Sequence, residues 1–248
     1  MYRENIYEVI SGTGEKVNTL VVSTNRRLKA YTWKVLREAG LAIDDAVQVA
    51  EDQLRVNQND RYRLRGGLNL LLRRGEDIPQ IVVDYAKKGE VALGITGDDL
   101  YDEYRLKNPK NPLRVENTYD WFDEAAKYLR PALCFVNRTG SIEGIPSPRV
   151  AIGAKYPKTS WNYLLRSPLT REFEFGAEFC DLVRIYEGSV ERKIAEGEAD
   201  CAIDIVYSGD TIKELGLTVI EIVRFSDLAV ISPLKDGPTL EARARRSG

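Results

Sequence analysis

A chain of 248 residues suits one large domain or two small ones, and with 43% hydrophobic residues it can bury a real core. Its formal net charge of −2 leaves no global basic field to draw nucleic acid. The chain has no histidine, which excludes histidine triads, histidine metal sites and histidine acid–base catalysis. Any chemistry must then rest on positioning, electrostatics or carboxylates.

Met1 to Lys16 is polar, contains glycine and reads as a loose leader. It lacks the basic start, apolar core and small-residue cleavage site of a secretion signal. No apolar run approaches the length of a membrane span. Cys134, Cys180 and Cys201 have no metal-type spacing. Cys134 and Cys201 fall in strand-like stretches and read as buried thiols. A reducing, cytoplasmic compartment fits.

Thr19 to Ser23 is a short apolar run that predicts a buried strand. Thr24-Asn25-Arg26-Arg27 follows as a turn, and a helix is predicted from about Leu28 to Ala39, ended by Gly40. Two arginines at a helix start oppose its dipole, which makes sense if they face an anion; simple solvation is the alternative. Asp44 to Leu72 carries no clear period until Leu68 to Leu72, a predicted strand leading to Arg73-Arg74. Asp77 to Lys88 gives the clearest helix: Asp77 as cap, Pro79 in the first turn, an apolar stripe of Ile78, Ile81, Val82 and Tyr85, and Gly89 beyond the end. Val91 to Thr96 is a buried strand, followed by a turn at Gly97-Asp98-Asp99.

Asn108 to Pro112 reads as a loop and Tyr119 to Leu129 as an amphipathic helix. Ala132 to Val136 and Arg149 to Gly153 are predicted strands, Ser160 to Leu165 is helical, and Leu182 to Tyr186 is a further strand. Gly188-Ser189-Val190-Glu191 opens a helix capped by Ser189 and ending near Gly197. Leu217 to Val223 and Leu228 to Ser232 close the series, and Lys235 to Gly248 is a fraying tail. The alternation of strands and helices predicts an α/β protein of two lobes with mixed, largely parallel sheets. The expected division is a leader at 1–18, lobe I at 19–131 plus 210–248, and lobe II at 132–209.

The chain is organised around Asp200 to Ile212, a buried strand interrupted by one acid, Asp204, that runs into Tyr207-Ser208-Gly209-Asp210-Thr211. A glycine permits close backbone approach. Hydroxyls and free N–H groups at a helix start bind phosphate oxygens. Asp204 is placed to accept hydrogen bonds from sugar hydroxyls, so the stretch reads as a pocket for a phosphorylated sugar. Thr211 and Glu214 also fit a capping box, which needs no ligand.

Asp204-Ile-Val-Tyr-Ser-Gly-Asp-Thr-Ile resembles the phosphoribosyl-pyrophosphate loop of the ATP phosphoribosyltransferase family, which opens histidine biosynthesis. Gly188-Ser189-Val190-Glu191 and Gly197-Glu198-Ala199-Asp200 resemble its Gly-Ser-Val-Glu and Gly-Leu-Ala-Asp. Arg74, Asp77-Ile78-Pro79 and Gly94-Ile95-Thr96-Gly97-Asp98-Asp99 resemble its Arg-x-x-Asp-Ile-Pro and Gly-Ile-Thr-Gly-x-Asp. The resemblance implies two lobes like those of type II periplasmic solute-binding proteins, with the active site in the cleft. It also implies transfer of phosphoribosyl from 5-phosphoribosyl 1-pyrophosphate to N1 of ATP, with magnesium on the substrate phosphates and no metal held by the protein alone.

By the same resemblance Asp204 holds the ribose hydroxyls, and Val206, Tyr207, Ser208, Gly209, Asp210 and Thr211 cradle the 5-phosphate. Arg27 and Arg74 meet the triphosphate or pyrophosphate, and Thr96, Gly97, Gly188 and Ser189 shape the cleft. Two departures stand out: Thr24-Asn25-Arg26-Arg27-Leu28 replaces the family's Pro-Lys-Gly-Arg-Leu, and Asp210 puts a carboxylate in the phosphate loop. A non-catalytic or regulatory relative that binds the sugar phosphate or nucleotide without turnover is the alternative. The short tail resembles the family's short form, an oligomer working with a regulatory subunit that resembles histidyl-tRNA synthetase, with no nucleic-acid or membrane partner.

Overall fold

A computed structural model describes residues 17–38, 61–63, 68–145, 147–170 and 182–234. The leader, Cys180, the tail beyond 234 and most of the 44–67 stretch lie outside the described residues, as does most of the Phe173–Arg184 stretch. The chain divides into two compact units; apart from Arg105–Lys107, which group with the second, it passes between them after Asp120 and again after Asp227.

The first unit is built on a six-stranded sheet. In chain order its strands are β1 (Thr19–Ser23), β2 (Arg61–Arg63), β3 (Asn69–Arg73), β4 (Ala92–Gly97), β5 (Leu113–Tyr119) and β11 (Leu228–Pro233). The spatial order is β2-β3-β1-β4-β11-β5. β3, β1 and β4 run parallel, with Ser23 opposite Arg73 and Val22 opposite Ile95, while β2, β11 and β5 add antiparallel edges. All five residues of β1 and all six of β4 are buried, as expected of central strands covered on both faces.

Helix α1 (Arg26–Glu38) follows β1, α2 (Ile78–Lys87) precedes β4 and α3 (Asp98–Lys107) follows it. α2 buries Ile78, Val82 and Val83 against the sheet. Gly94 makes that approach possible: a Cβ there would lie 2.7 Å from Ile78 Cγ2 and 2.9 Å from Val82 Cγ2. The expected Asp77 cap does not form. Asp77 has helical dihedrals and makes no side-chain cap hydrogen bond, because a 3₁₀ turn over Gly75–Asp77 feeds the helix instead.

The second unit carries β6 (Ala132–Asn137), β7 (Val150–Gly153), β8 (Val183–Tyr186), β9 (Cys201–Val206) and β10 (Thr218–Phe225), in the order β10-β6-β9-β7-β8. β9, β7 and β8 are parallel, and β6 and β10 are antiparallel additions. Its helices are α4 (Pro157–Arg166), α5 (Arg192–Ala195) and α6 (Asp210–Glu214). Val190, Ile194, Val206, Ile212 and Leu217 join Ala132, Cys134, Val136, Ala151 and Ala202 in one core. Burial pushes the Cys134 and Cys201 thiols up to about 12, so both are inert at neutral pH.

Three expectations need correction. The predicted return to the first lobe at residue 210 comes at Leu228 instead, because β10 pairs with β6 and belongs to the second sheet. Tyr119 to Leu129 is not a helix. β5 runs to Tyr119, and turns carry the chain to Arg130. Tertiary bonds override the amphipathic period there: the Trp121 N–H donates to Asp227 at 3.0 Å, the Lys127 N–H donates to the Tyr207 carbonyl at 2.7 Å, and Leu129 takes a positive φ of 61°. Gly97-Asp98-Asp99 is not a free turn either, since α3 begins at Asp98.

Candidate functional site

The residues predicted to form the site divide between the units. Arg27, Arg74, Thr96 and Gly97 fall in the first; Gly188, Ser189, Asp204 and Val206 to Thr211 fall in the second.

In the first unit the carboxyl ends of the parallel trio β3-β1-β4 gather the turns after Ser23, Arg73 and Gly97. Such strand ends are where open α/β sheets place ligands. The turn after β1 is closed by its own side chains. The Asn25 N–H donates to Ser23 Oγ at 3.1 Å, and Asn25 Oδ1 accepts the Arg27 N–H at 3.1 Å and the Leu28 N–H at 3.4 Å. Asn25 therefore caps α1. The Thr24 N–H donates to the Arg73 carbonyl at 2.6 Å, tying this turn to the next. Arg27 and Arg74 are exposed.

Thr96 is fully buried, and its hydroxyl donates to the Gly75 carbonyl at 2.8 Å. It fixes the Arg74–Asp77 turn rather than presenting an oxygen to a ligand. Gly75 sits close under this contact: a Cβ there would lie 3.4 Å from Thr96 Oγ1 and would push Leu100 Cδ1, 2.7 Å away, aside. The only signal of Gly75 in the sequence is its place between Arg74 and Asp77, in the stretch that resembles Arg-x-x-Asp-Ile-Pro.

In the second unit Asp204 sits near the carboxyl end of β9. Its Oδ1 accepts the Ile205 N–H at 2.8 Å and its Oδ2 accepts the Val190 N–H at 3.2 Å. The Glu191 carboxyl lies beside it. Burial, and then the Glu191 carboxyl beside it, raise the Asp204 carboxyl well above the ordinary carboxylate range, against the two backbone N–H bonds that lower it. Glu191 is 8% exposed, and its Oε2 has no hydrogen-bond partner among the described residues. In the sequence Glu191 has only a helix-start role, yet after burial it is the group that raises Asp204 most.

Gly188 has a φ of 81° and with Ser189 forms the exposed turn that delivers Val190 and Glu191 to Asp204. Ser189 is not a helix cap, because the helix that follows is the single turn α5, with Glu191 at its N-cap position and no side-chain cap hydrogen bond. Val206 is 4% exposed with its side chain in the core, so it offers a ligand its backbone only.

The turn from β9 to α6 is built differently from the one after β1. Gly209 stands at the N-cap in the left-handed region, φ 82° and ψ 6°. No side-chain oxygen caps α6, so the capping box of Thr211 and Glu214 does not form. Among the described residues no acceptor takes the N–H of Gly209, Thr211 or Ile212. Asp210 is exposed, and its N–H reaches Ser208 Oγ only at 3.5 Å. The Tyr207 carbonyl accepts from the Lys127 N–H, its phenol donates to the Asp123 carboxylate, and its ring lies 6.5 Å from that of Trp121. A tied tyrosine thus holds an open turn whose unused donors suit a phosphate.

Among the described residues no three acidic or cysteine side chains gather as a metal-ligand group. No described helix is long and apolar enough to cross a membrane.

The family model described as ATP phosphoribosyltransferase matches residues 74–237. That span holds every predicted site residue except Arg27, which lies in the departing turn after β1. The ATP phosphoribosyltransferase of Campylobacter fetus subsp. fetus is 23% identical over 185 residues, covering 75% of this chain and 78% of the relative. That of Clostridium novyi is 24% identical over 201 residues, covering 81% of each. The ATP phosphoribosyl transferase (HisG:HisZ) complex from Thermotoga maritima contains a chain that matches this fold with a TM-score of 0.52. The identity is 16%, over 92% of this chain and 90% of that one.

Proposed function

This chain belongs to the ATP phosphoribosyltransferase family, and on that premise we propose that it transfers phosphoribosyl from 5-phosphoribosyl 1-pyrophosphate to ATP, the first step of histidine biosynthesis. The lone pair of adenine N1 forms a bond to the anomeric carbon of the ribose. The bond from that carbon to the pyrophosphate oxygen breaks, and pyrophosphate leaves with the electron pair. The observation that carries this reading is the uncapped turn at Tyr207–Thr211, with a left-handed glycine at its N-cap and unused N–H groups.

The turn receives the 5-phosphate through backbone N–H groups and the hydroxyls of Ser208 and Thr211. Asp204, fixed by the Val190 and Ile205 N–H groups, accepts from the ribose hydroxyls. Arg74, exposed on the turn that Thr96 anchors, meets pyrophosphate or triphosphate oxygens, and Arg27 is assigned the same role. No histidine is needed, because the leaving group takes charge rather than a proton. Magnesium enters with the substrate phosphates, the usual manner where the protein supplies few ligands, and there it would neutralise the departing pyrophosphate.

ATP and phosphoribosyl pyrophosphate are thus the proposed ligands, and the cytoplasm is the proposed compartment. We also propose that the chain works as an oligomer with a separate regulatory subunit resembling histidyl-tRNA synthetase. The name of the Thermotoga maritima complex, which joins two components, supports that reading. Pyrophosphate release from ATP plus phosphoribosyl pyrophosphate tests the reaction. Release that needs both substrates and magnesium is expected. Binding of both with no release in the presence of the regulatory subunit overturns it. Full activity of the chain alone, with strong inhibition by histidine, overturns the partner.

A further inference from the structure

The segment between β5 and β6 lies against the Tyr207–Thr211 turn. It is fastened there at three points within the second unit: the Lys127 N–H on the Tyr207 carbonyl at 2.7 Å, the Asp123 carboxylate on the Tyr207 phenol, and Trp121 against the Tyr207 ring. The segment is braced in turn by Asp227, which accepts from the Trp121 N–H at 3.0 Å and from the Arg130 guanidinium at 3.3 Å. Asp123 and Leu129 close the loop on themselves, the Asp123 N–H donating to the Leu129 carbonyl at 2.8 Å.

This bracing aims one side chain. The Lys127 stem lies directly over Gly209, since a Cβ on that glycine would fall 2.7 Å from Lys127 Cδ. The residue is exposed, and its ammonium stands 5.4 Å from the centre of the Tyr128 ring. Among the described residues no carboxylate pairs with it. Lys193 of the same unit, by contrast, is engaged by Glu196 and Glu198. A lysine held over a glycine by its own backbone, with an aromatic face but no carboxylate beside its charge among the described residues, is placed to serve a ligand of that glycine's turn.

The turn also has a charge problem. Asp210 is the first residue of α6, and its carboxylate would repel a phosphate dianion bound to the neighbouring N–H groups. Lys213, in the last turn of that helix, is the one cation α6 itself carries. We propose that Lys127 is a binding residue for the 5-phosphate of phosphoribosyl pyrophosphate, offsetting Asp210 by reaching over Gly209 to the phosphate oxygens. This rests on the assignment of the Tyr207–Thr211 turn to the 5-phosphate. Lys127 is supplied by a segment whose sequence reads as a helix and whose role therefore shows only in the folded chain.

Titration calorimetry of the full chain in magnesium buffer, with ribose 5-phosphate and separately with inorganic pyrophosphate, tests it. Lys127→Met keeps the apolar stem and should weaken ribose 5-phosphate about tenfold or more, the ordinary worth of a hydrogen bond to a charged group. Pyrophosphate binding should be unchanged, which a general loss of folding would not leave intact. Lys127→Arg should retain affinity, and Asp210→Asn added to Lys127→Met should recover part of the loss. Ribose 5-phosphate affinity that survives Lys127→Met unchanged overturns the role of Lys127 and leaves the turn standing. A wild-type chain that binds phosphoribosyl pyrophosphate but no ribose 5-phosphate overturns the assignment of the turn, and that of Lys127 with it.

Discussion

Two strand-to-helix turns invite comparison: Ser23 to Arg27, between β1 and α1, and Val206 to Asp210, between β9 and α6. Both follow a strand at the centre of a parallel trio or at its edge, and both open a helix whose first N–H groups need acceptors. The first turn supplies its own. Asn25 Oδ1 takes two N–H groups and Ser23 Oγ takes a third. The second supplies none beyond the long contact from Asp210 to Ser208 Oγ, and puts a left-handed glycine where the first has its capping carboxamide. A carboxamide oxygen at a helix start occupies the place an anion would take. The turn that departs from the family's Pro-Lys-Gly-Arg-Leu is thus self-satisfied, and the one that keeps the family's pattern is open.

The hardest blow to this contrast falls on Gly209. A β-branched residue is strained at a φ of 82°, and its Cβ would collide with Lys127 Cδ. Gly209→Val should lower affinity for phosphoribosyl pyrophosphate by at least about a hundredfold, roughly 2.7 kcal/mol. Titration calorimetry reads the loss and thermal melting confirms that the chain still folds. Affinity within threefold of wild type would mean that the turn is not open to a ligand.

The sequence made one of these turns more legible than the other. Gly209, with hydroxyls on either side after a buried strand, signals an anion site because glycine is the residue a left-handed N-cap favours. The strands were legible for a similar reason: Thr19–Ser23 and Cys201–Val206 are too short, apolar and β-branched to be much else. In the sequence Asn25 is only part of a plain turn, since capping depends on dihedrals that composition does not fix. The segment from Tyr119 to Leu129 has a helical period and forms no helix. Its course is set by Asp227, 106 residues from Trp121, and by Tyr207, 84 residues from Asp123, and no local pattern records such distant partners. Glu191 was visible as a letter in a motif, but its pairing with Asp204 needs the fold to bring α5 beside β9.

A second effect sharpens the chemistry of the open turn. The folded chain favours the protonated Asp204 carboxyl, because burial and Glu191 raise it above its unfolded value. The associated stability is therefore present below the ordinary carboxylate range and is lost as pH rises through the raised value. Asp204→Asn removes this titration. Its melting temperature should fall less than that of wild type between pH 5 and pH 9, leaving the variant about 2–4 °C higher relative to wild type at the alkaline end, per kcal/mol recovered. Affinity for phosphoribosyl pyrophosphate should drop about tenfold with the ribose contact weakened. Melting curves that stay parallel across that range would show that the Asp204 carboxyl is not raised in the folded chain. Unchanged affinity would make Asp204 a structural acid only.

The smallest expected effect tests the closed turn. Asn25→Ala removes the acceptor for the Arg27 and Leu28 N–H groups, and a lost N-cap typically costs about 1 kcal/mol. For a chain of this size that is a fall of roughly 2–4 °C in melting temperature. Affinity for phosphoribosyl pyrophosphate should stay within about twofold, because a turn that satisfies its own donors has none to give the substrate. The vacated position gives the reverse arm of the comparison. With the carboxamide gone, α1 presents two unused N–H groups beside Arg27, and sulfate should protect Asn25→Ala against heating more than it protects wild type. A fall in substrate affinity much beyond twofold would show that the turn after β1 also touches phosphate, and that its carboxamide is a ligand contact rather than a substitute for one.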